Sequence, residues 1–305
     1  MNAQWIHRFG WRALSISLCV LPGLIAALPA RAEGTLDKIA RTGTLTLGYR
    51  ESSSPFSYLG SDKRPIGYSI DVCEKIVEAV KRELKRPVLA VKYVPVSSST
   101  RMTHLVSGEI DLECGSTTNT AERRKQVAFT IPTFIAATRL LTKKDSGITA
   151  FDDVAGKTVI TTQGTSSEQF FNERNEARKL HAKLVLGKDH AESFALLEAG
   201  KGVAFLMDDV LLYSLRAASK DPGGYVITKD ALTIEPLAVM LRKDDAPFKK
   251  LVNTEVARMI TQGEIQGVYK KWFESPIPPN QINMKMPMSY MLRDSFKMPT
   301  DWLPN

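Results

Sequence analysis

Five short polar clusters could bind a small charged molecule, and each follows a segment that is typical of a β-strand. They cover residues 50–53, 97–101, 115–118, 163–167 and 207–209. Hydroxyl side chains and the amides at a helix start suit an anion. Arg50 and Arg101 suit a carboxylate because the planar guanidinium donates two parallel hydrogen bonds. Asp208 is the feature suited to a cation.

Each cluster taken alone has a simpler interpretation. A Ser/Thr run before a helix is usually a helix cap, and Asp208 ahead of a helix is by default an N-cap. An isolated arginine is more often a solvated surface residue. The hypothesis of a binding site therefore depends on the repetition of such clusters at the carboxyl ends of strands, where open α/β sheets bind ligands.

Catalytic and metal-binding signatures are missing from the sequence. It contains no GxSxG, HExxH, P-loop or GxGxxG motif. His104, His181 and His190 do not have the spacing of metal ligands. We therefore expect neither a metal nor a cofactor.

The elements that must position the clusters alternate between strands and helices. Strand patterns cover residues 44–49, 89–96, 110–114, 134–141, 157–162, 183–186, 203–207 and 232–242. Helical patterns cover residues 72–84, 98–107, 191–199, 210–218, 247–262 and 264–273, and a capping-box spacing predicts a helix start at 165–168. Repeated βα alternation predicts an α/β protein with largely parallel sheets. The cluster 143–147 marks a break between two series, and the end from Ile277 is expected to be extended.

The amino terminus predicts export. Residues 1–32 combine basic residues, an uncharged apolar run over 13–27 and a small-x-small site at 30–32, which is typical of a cleaved signal peptide. The alternative is a membrane anchor, although the run is shorter than the roughly 20 residues that span a bilayer. The formal net charge of +8 falls when the signal is removed, and no Lys/Arg run is interleaved with aromatics, so nucleic-acid binding is not expected.

Two cysteines lie beyond the predicted signal peptide, Cys73 and Cys114. An exported chain meets an oxidising compartment, where two thiols can pair. Both a disulfide and two separate buried thiols are consistent with the sequence.

Several longer segments resemble the periplasmic amino-acid-binding proteins of ABC importers, the bacterial solute-binding protein family 3, over nearly all of residues 34–280. The resemblance is carried by GYSIDVCEKIVEAVK, by ECGSTTNTAERRKQ, by KDHAESFALLEAGKGVAFLMDD and by MLRKDDAPFKKLV. It implies a type II two-lobe fold, each lobe a mostly parallel sheet flanked by helices, with two hinge strands. It assigns residues 33–136 and 236–305 to the first lobe and residues 137–235 to the second.

The resemblance also implies roles around the α-carbon of a bound amino acid. Arg123 matches the family arginine that clamps the α-carboxylate, with Ser116 and Thr118 as its neighbours. Asp208 matches the second-lobe acid that binds the α-ammonium.

For an acidic side chain, the members that bind glutamate and aspartate add further positive groups. Arg50, Arg101 and His190 stand at those positions. Three hydroxyl side chains complete the implied site: Ser98, Thr165 and Ser166.

The implied function is a periplasmic receptor that captures L-glutamate or L-aspartate between the lobes and delivers it to the permease subunits of an ABC transporter. The resemblance implies a monomer that is not an enzyme. Two alternatives stay open: an enzyme on the same scaffold, similar to cyclohexadienyl dehydratases and using His190 or Asp208 as acid or base, and a sensor subunit for amino acids.

Overall fold

The computed structural model describes residue 1 and residues 33–302. The predicted signal peptide, 1–32, lies outside the described residues except for Met1. The described residues from 34 onward form one structural unit, which holds every element below. Within residues 33–302, no helix has both the length and the apolar character needed to cross a membrane.

Strands and helices alternate along the chain. The strands are β1 (Thr44–Tyr49), β2 (Ser52–Ser53), β3 (Ser57–Leu59), β4 (Pro65–Ile66), β5 (Ala90–Pro95), β6 (Leu112–Cys114), β7 (Val127–Phe129), β8 (Phe134–Lys143), β9 (Thr158–Thr162), β10 (Lys183–Gly187), β11 (Ala204–Asp208), β12 (Tyr225–Ile227), β13 (Thr233–Leu237) and β14 (Met240–Arg242). The α-helices are α1 (Thr35–Thr42), α2 (Tyr68–Glu83), α3 (Arg101–Val106), α4 (Ala121–Arg124), α5 (Ser166–Ala177), α6 (His190–Glu198), α7 (Asp209–Ala218), α8 (Ala246–Thr261), α9 (Glu264–Tyr269) and α10 (Tyr290–Ser295).

The first lobe is built on a five-stranded sheet in the order β5-β1-β6-β14-β7. Strand β1 pairs in parallel with β5 and β6, whereas β14 is antiparallel to β6 and β7. Leu45 and Leu47 of β1 are fully buried, as expected for a strand covered on its face by helices. Helix α2 turns Val72, Ile76 and Val80 inward, which is the apolar face that its spacing predicts.

The second lobe is built on the sheet β10-β9-β11-β8-β12, with β13 added beside β8. Strands β10, β9 and β11 are parallel, and β8 runs antiparallel to β11, β12 and β13. Its core contains Leu140, Val159, Phe171 and Leu206. Two sheet-containing lobes of mixed α/β structure confirm the predicted fold class.

Strands β8 and β13 pass between the lobes side by side. They pair antiparallel with Leu237 opposite Phe134, and Leu237 also bridges to Thr118 of the first lobe. Phe134 packs in an aromatic cluster with Phe56 and Phe273, at ring-centroid distances of 5.0 and 4.9 Å. The start of β8 is therefore fixed to the first lobe by aromatic packing.

Several predicted boundaries differ from the structure. Helix α2 begins at Tyr68 rather than at residue 72, directly after Gly67, whose φ of 137° ends the preceding extended segment. The segment 232–242 forms two strands rather than one, because β13 pairs with β8 while β14 joins the first-lobe sheet. The carboxyl-terminal segment is not wholly extended, since α10 buries Leu292.

Candidate ligand-binding site

The carboxyl ends of strands from both lobes meet around a small cavity. Its lining is mostly polar and comes from both sides of the cleft: Ser98, Arg101, Ser116, Thr118, Arg123, Thr165, Ser166, His190, Met207, Asp208 and Leu211. The free space inside the cavity is about 10 Å³, which is room for about one water molecule. A larger ligand therefore requires the two lobes to move apart.

The first-lobe wall comes from two connections that leave the sheet at the same edge. Ser98 lies between β5 and α3, and Arg101 is the first residue of α3. Ser116 and Thr118 follow β6, while Arg123 lies in the short helix α4, which Thr120 caps by accepting a hydrogen bond from the Arg123 amide. Parallel β5 and β6 flank β1, so these ends lie together.

The second-lobe wall is made of two helix starts and one strand end. Thr165 is the N-cap of α5 and accepts a hydrogen bond from the Glu168 amide, so the predicted capping position is a helix start. His190 is the first residue of α6, which Asp189 caps. Asp208 ends β11. The positive ends of two helix dipoles therefore lie beside the cavity.

Arg101 and Arg123 share a carbonyl group from the opposite lobe. Arg101 Nη2 and Arg123 Nη2 donate to the Gly164 oxygen at 3.4 and 3.3 Å. Arg123 Nη1 also donates to the Thr118 oxygen at 2.9 Å. Burial lowers the pKa of Arg123 to about 9, with the positive charge of Arg101 as the second cause. The pKa of Arg101 is lowered too, chiefly by burial.

Gly164 allows the lobes to approach each other closely. A Cβ at this position would lie 2.6 Å from Ser99 Cα, and its φ of +77° is one that other residues rarely adopt. Two hydroxyl pairs also cross the cleft: Thr118 with Ser166 at 3.3 Å and Ser54 with Ser214 at 3.0 Å. The lobes are therefore in direct contact around the cavity.

Arg50 lies behind the cavity wall rather than in its lining. Its Nη2 donates to Ser98 Oγ at 2.6 Å, and only 2% of the residue is exposed. The pKa of Arg50 is lowered to about 9, chiefly by burial and then by the nearby positive charge of Arg101. Arg50 thus sits one side chain away from the cavity, with its charge desolvated.

His190 and Asp208 are buried on the opposite side with their pKa values shifted in opposite senses. His190 Nδ1 is 2.9 Å from Thr162 Oγ1. Burial, followed by the charges of Arg50 and Arg101, lowers the pKa of His190 well below its usual value. Burial, followed by the negative charge of Glu235, raises the pKa of Asp208 well above its usual value. Both shifts favour the uncharged forms of the two side chains.

Several buried polar atoms around the cavity have no hydrogen-bond partner among residues 33–302. They include three nitrogen atoms and two oxygen atoms, namely Arg50 Nη1, Arg101 Nε, His190 Nε2, Ser116 Oγ and Asp208 Oδ1. A buried donor or acceptor without a partner costs about 1–3 kcal/mol. The arginine nitrogens can only donate, and the Asp208 oxygen accepts when ionised. A small ligand that carries both anionic groups and a cationic group would satisfy this set.

The family model for bacterial extracellular solute-binding proteins, family 3, matches residues 45–275. The chain belongs to this family. Its members are extracellular solute-binding proteins, so the small polar cavity between two contacting lobes is the expected place for a solute.

Two relatives match the chain over nearly its whole length. The "L-glutamate/L-aspartate-binding protein" of Pseudomonas aeruginosa is 46% identical over 289 residues, which cover 94% of this chain and 96% of that protein. The "Glutamate/aspartate import solute-binding protein" of Escherichia coli K12 is 46% identical over 275 residues, covering 90% of this chain and 91% of that protein. Both names describe binding proteins rather than enzymes.

Solved structures of the same architecture cover most of the chain. An ancestral amino acid-binding protein that is a precursor of cyclohexadienyl dehydratase aligns with a TM-score of 0.67 and 29% identity, over 78% of this chain and 99% of that one. A mutant of ArgBP from T. maritima aligns with a TM-score of 0.69 and 25% identity, over 78% of this chain and 98% of that one.

The structure brings the sequence-predicted residues of this family site together. All of them except Arg50 line one cavity, and Arg50 contacts the lining residue Ser98. Cys73 of α2 and Cys114 at the end of β6 are joined by a disulfide with an S–S distance of 2.07 Å. Because Cys114 directly precedes the segment that carries Ser116 and Thr118, the disulfide ties the first-lobe wall to helix α2.

Sequence reasoning missed several residues that contact the site. Glu235, on β13, accepts a hydrogen bond from Ser166 Oγ at 2.9 Å and a second from Thr138 Oγ1 at 3.2 Å. Glu113 and Thr117 lie behind Arg101. The available signal was an acidic residue inside an otherwise apolar strand, as in Leu112–Cys114, because a buried carboxylate requires partners.

Proposed function

We propose that this protein is a receptor that captures L-glutamate or L-aspartate in the cavity between its lobes and delivers it to an ABC transporter. The observation that carries the proposal is the set of buried polar atoms around the cavity that have no hydrogen-bond partner among residues 33–302. Two arginine nitrogens in this set can only donate, and Asp208 Oδ1 accepts when ionised. The names of the relatives at 46% identity support the same ligands.

In the proposed complex, the groups around the α-carbon bind at the edge of the cavity that Arg123 and Asp208 share. Arg123 and the hydroxyl groups of Ser116 and Thr118 bind the α-carboxylate. Asp208 binds the α-ammonium, whose positive charge stabilises the ionised carboxylate and so opposes the raised pKa of Asp208. A buried charge is tolerated only when it is paired and hydrogen-bonded.

The acidic side chain of the ligand binds between Arg101 and His190, with the positive charge of Arg50 behind Ser98. If Thr162 donates to His190 Nδ1, the neutral imidazole donates from Nε2 to the distal carboxylate. Hydroxyl groups from both walls complete the contacts: Ser98, Thr165 and Ser166. An amide side chain would leave the desolvated positive charges uncompensated, so the site should discriminate against glutamine and asparagine.

The lobes are proposed to divide at the paired strands β8 and β13, with residues 33–136 and 236–305 in the first and 137–235 in the second. The membership of β8 and β13 in the second sheet, together with the Leu237–Thr118 bridge to the first lobe, supports this division. Hinge motion about these strands would open and close the cavity.

We further propose that residues 1–32 direct export and are removed, so that the receptor works in the periplasm as a monomer and meets the permease there. The family is extracellular, which agrees with export. The cavity is assigned to binding rather than to catalysis because the two relatives at 46% identity are named as binding proteins.

A thermal-shift and calorimetric titration tests the function. The protein without residues 1–32 is refolded from denaturant to remove carried-over ligand and is titrated with L-Glu, L-Asp, L-Gln, L-Asn and glutarate. A ligand present at 100 times its Kd stabilises the native state by about 2.7 kcal/mol. We expect the acidic amino acids to raise Tm, and the amides and the ammonium-free glutarate to raise it much less. Equal shifts with the amides, or none with either acid, would contradict the proposal.

A further inference from the structure

A chain of buried hydrogen bonds leads from the cavity lining into the core of the first lobe. Arg101 Nη1 donates to Thr117 Oγ1 at 2.6 Å, and Thr117 Oγ1 donates to Glu113 Oε2 at 2.7 Å. Thr117 and Glu113 are both fully buried. Neither of them lines the cavity. Both therefore act on a ligand indirectly.

The single hydroxyl proton of Thr117 sets the direction of the chain. A carboxylate only accepts and a guanidinium only donates, so Thr117 must give its proton to Glu113 and accept from Arg101. The hydrogen bonds at both ends of this chain involve a charged group, and such charge-assisted bonds are stronger than bonds between neutral groups. This arrangement uses one N–H of Nη1, while Nη2 donates to Gly164 and Nε has no partner among residues 33–302. The relay formed by Arg101, Thr117 and Glu113 therefore fixes the orientation in which the remaining N–H groups of Arg101 face a ligand.

Glu113 also lies close to Arg50. A Cβ at Gly115 would be 2.2 Å from Glu113 Oε1 and 2.9 Å from Arg50 Cγ, so both side chains pack against the backbone at this glycine. The Glu113 charge raises the pKa of Arg50, Arg101 and Arg123, against the lowering that burial causes in each. Its negative charge thus acts on the whole arginine set.

We propose that Thr117 and Glu113 are positioning residues that set the preference for an acidic ligand, because the relay orients Arg101 and Glu113 supplies the internal counter-charge of the arginine cluster. This inference rests on the proposed function. In the absence of a ligand, Glu113 offsets the repulsion among Arg50, Arg101 and Arg123. When a dicarboxylate is bound, its own anions share that task.

A double-mutant cycle tests the relay. Kd for L-Glu is measured by calorimetry for wild type, Thr117→Val, Arg101→Ala and the double variant. Thr117→Val keeps the shape of the side chain and removes the hydroxyl, so we expect about a tenfold weaker Kd. We expect it to have no further effect once Arg101 is absent, because the two residues act as a unit. An equal loss in both backgrounds, or no loss in either, would overturn the relay.

Two variants separate positioning from folding. Thr117→Ser restores the hydroxyl and should return Kd to within about threefold of wild type. Thr130→Val removes the hydroxyl of another fully buried threonine outside the cavity lining and should leave Kd unchanged. Failure of Ser to restore binding, or an equal loss in Thr130→Val, would show a general structural effect instead.

Glu113→Gln tests the counter-charge while keeping an acceptor for Thr117. The ligand-free Tm should fall because the arginines lose their anion, and L-Glu should raise Tm by more than it does in wild type because the ligand replaces that anion. An equal fall in Tm with and without ligand would overturn the counter-charge role. Wild type is titrated first: no binding of L-Glu there contradicts the proposed function, whereas binding with unaltered variants contradicts this inference alone.

Discussion

The two walls of the cavity hold their charged groups in different ways. In the first lobe, each arginine has a partner from its own lobe: Ser98 for Arg50, Thr117 for Arg101 and the Thr118 carbonyl for Arg123. In the second lobe, His190 is held by Thr162 through Nδ1, while Asp208 Oδ1 has no partner among residues 33–302. Arg50 Nη1 and Arg101 Nε also lack a partner among those residues. The arginines are therefore oriented by their own lobe while keeping nitrogen atoms available to a ligand, whereas Asp208 relies on the ligand for a partner.

The two walls also differ in what holds their backbone in place. The disulfide ties β6 to α2 directly before the first-lobe binding segment. The second wall instead uses the starts of α5 and α6, whose N-caps Thr165 and Asp189 fix the local backbone. A rigid wall that carries the arginines and a wall of helix starts can together enclose a ligand when the lobes meet. We expect substitutions in the two walls to have different consequences.

Arg101→Ala should produce the largest effect. It removes a buried cation that faces the proposed distal carboxylate, and an uncompensated buried charge costs about 3–5 kcal/mol. Calorimetry should show L-Glu binding weakened by at least about a hundredfold, with the fold retained. Arg64, which is exposed in the same lobe, supplies the control Arg64→Ala, which should bind like wild type. An unchanged Kd in Arg101→Ala would show that Arg101 does not bind the ligand and that the first wall does not act as proposed.

Removing the disulfide should loosen the first wall alone. The double variant Cys73→Ala/Cys114→Ala opens a loop closed over 41 residues, and the chain-entropy relation predicts a loss of about 4 kcal/mol in the free energy of unfolding. Urea denaturation measures that loss. Hydrogen exchange should show reduced protection of β6 and its neighbours, with β9 to β11 protected as before. Similar losses in both sheets would show that the walls are not independent.

Asp208→Asn should weaken every α-amino ligand alike, because the carboxylate that pairs with the ammonium is lost while the shape is kept. A hydrogen bond to a charged group contributes about 1.5–3 kcal/mol, which corresponds to roughly a tenfold to hundredfold increase in Kd for both L-Glu and L-Asp. Asp152→Asn, at an exposed acid of the same lobe, is the control. If the variant lost L-Glu but kept L-Asp, the assigned contact with the ammonium would be wrong.

Lowering the pH should destabilise the ligand-free protein, because the imidazole of His190 in the second wall is buried in its neutral form. The pKa of His190 is lowered in the folded state, so below about pH 6.5 the unfolded chain binds the extra proton. Stability from this group is therefore present above that pH and is lost as the pH falls, by up to about 1.4 kcal/mol per pH unit. Tm measured without ligand between pH 7 and 5 should fall more steeply in wild type than in His190→Gln. If Tm fell equally with pH in wild type and in His190→Gln, His190 would not be the cause of the loss of stability.

Much of the fold could be predicted from the pattern of the sequence. The apolar runs at residues 44–49 and 203–207 and the helical spacing of Val72, Ile76 and Val80 depend on local periodicity, which each segment carries by itself. The boundary errors came from tertiary context. The run 232–242 reads as one strand, yet its two halves pair with strands of different sheets.

The candidate site was predicted in part. The residue types at the strand ends and the family resemblance selected a set of side chains, and the structure places them around one cavity or, for Arg50, directly behind it. The supporting residues were not found. Thr117 reads as one hydroxyl among several in 115–118, and Glu235 lies in a predicted hinge strand whose register against β8 depends on the tertiary structure.

The sequence by itself determined which segments form strands and helices, which polar side chains stand at their ends, and that the carboxylate-binding chemistry is supplied by arginine. Only the tertiary structure decided that Arg101 is held by Thr117 and Glu113, that Gly164 offers its carbonyl to two arginines across the cleft, and that Arg50 stands behind Ser98. Local patterns reflect interactions between near neighbours in the chain. A buried hydrogen bond depends on positions fixed to within a few tenths of an ångström by the packing of both sheets.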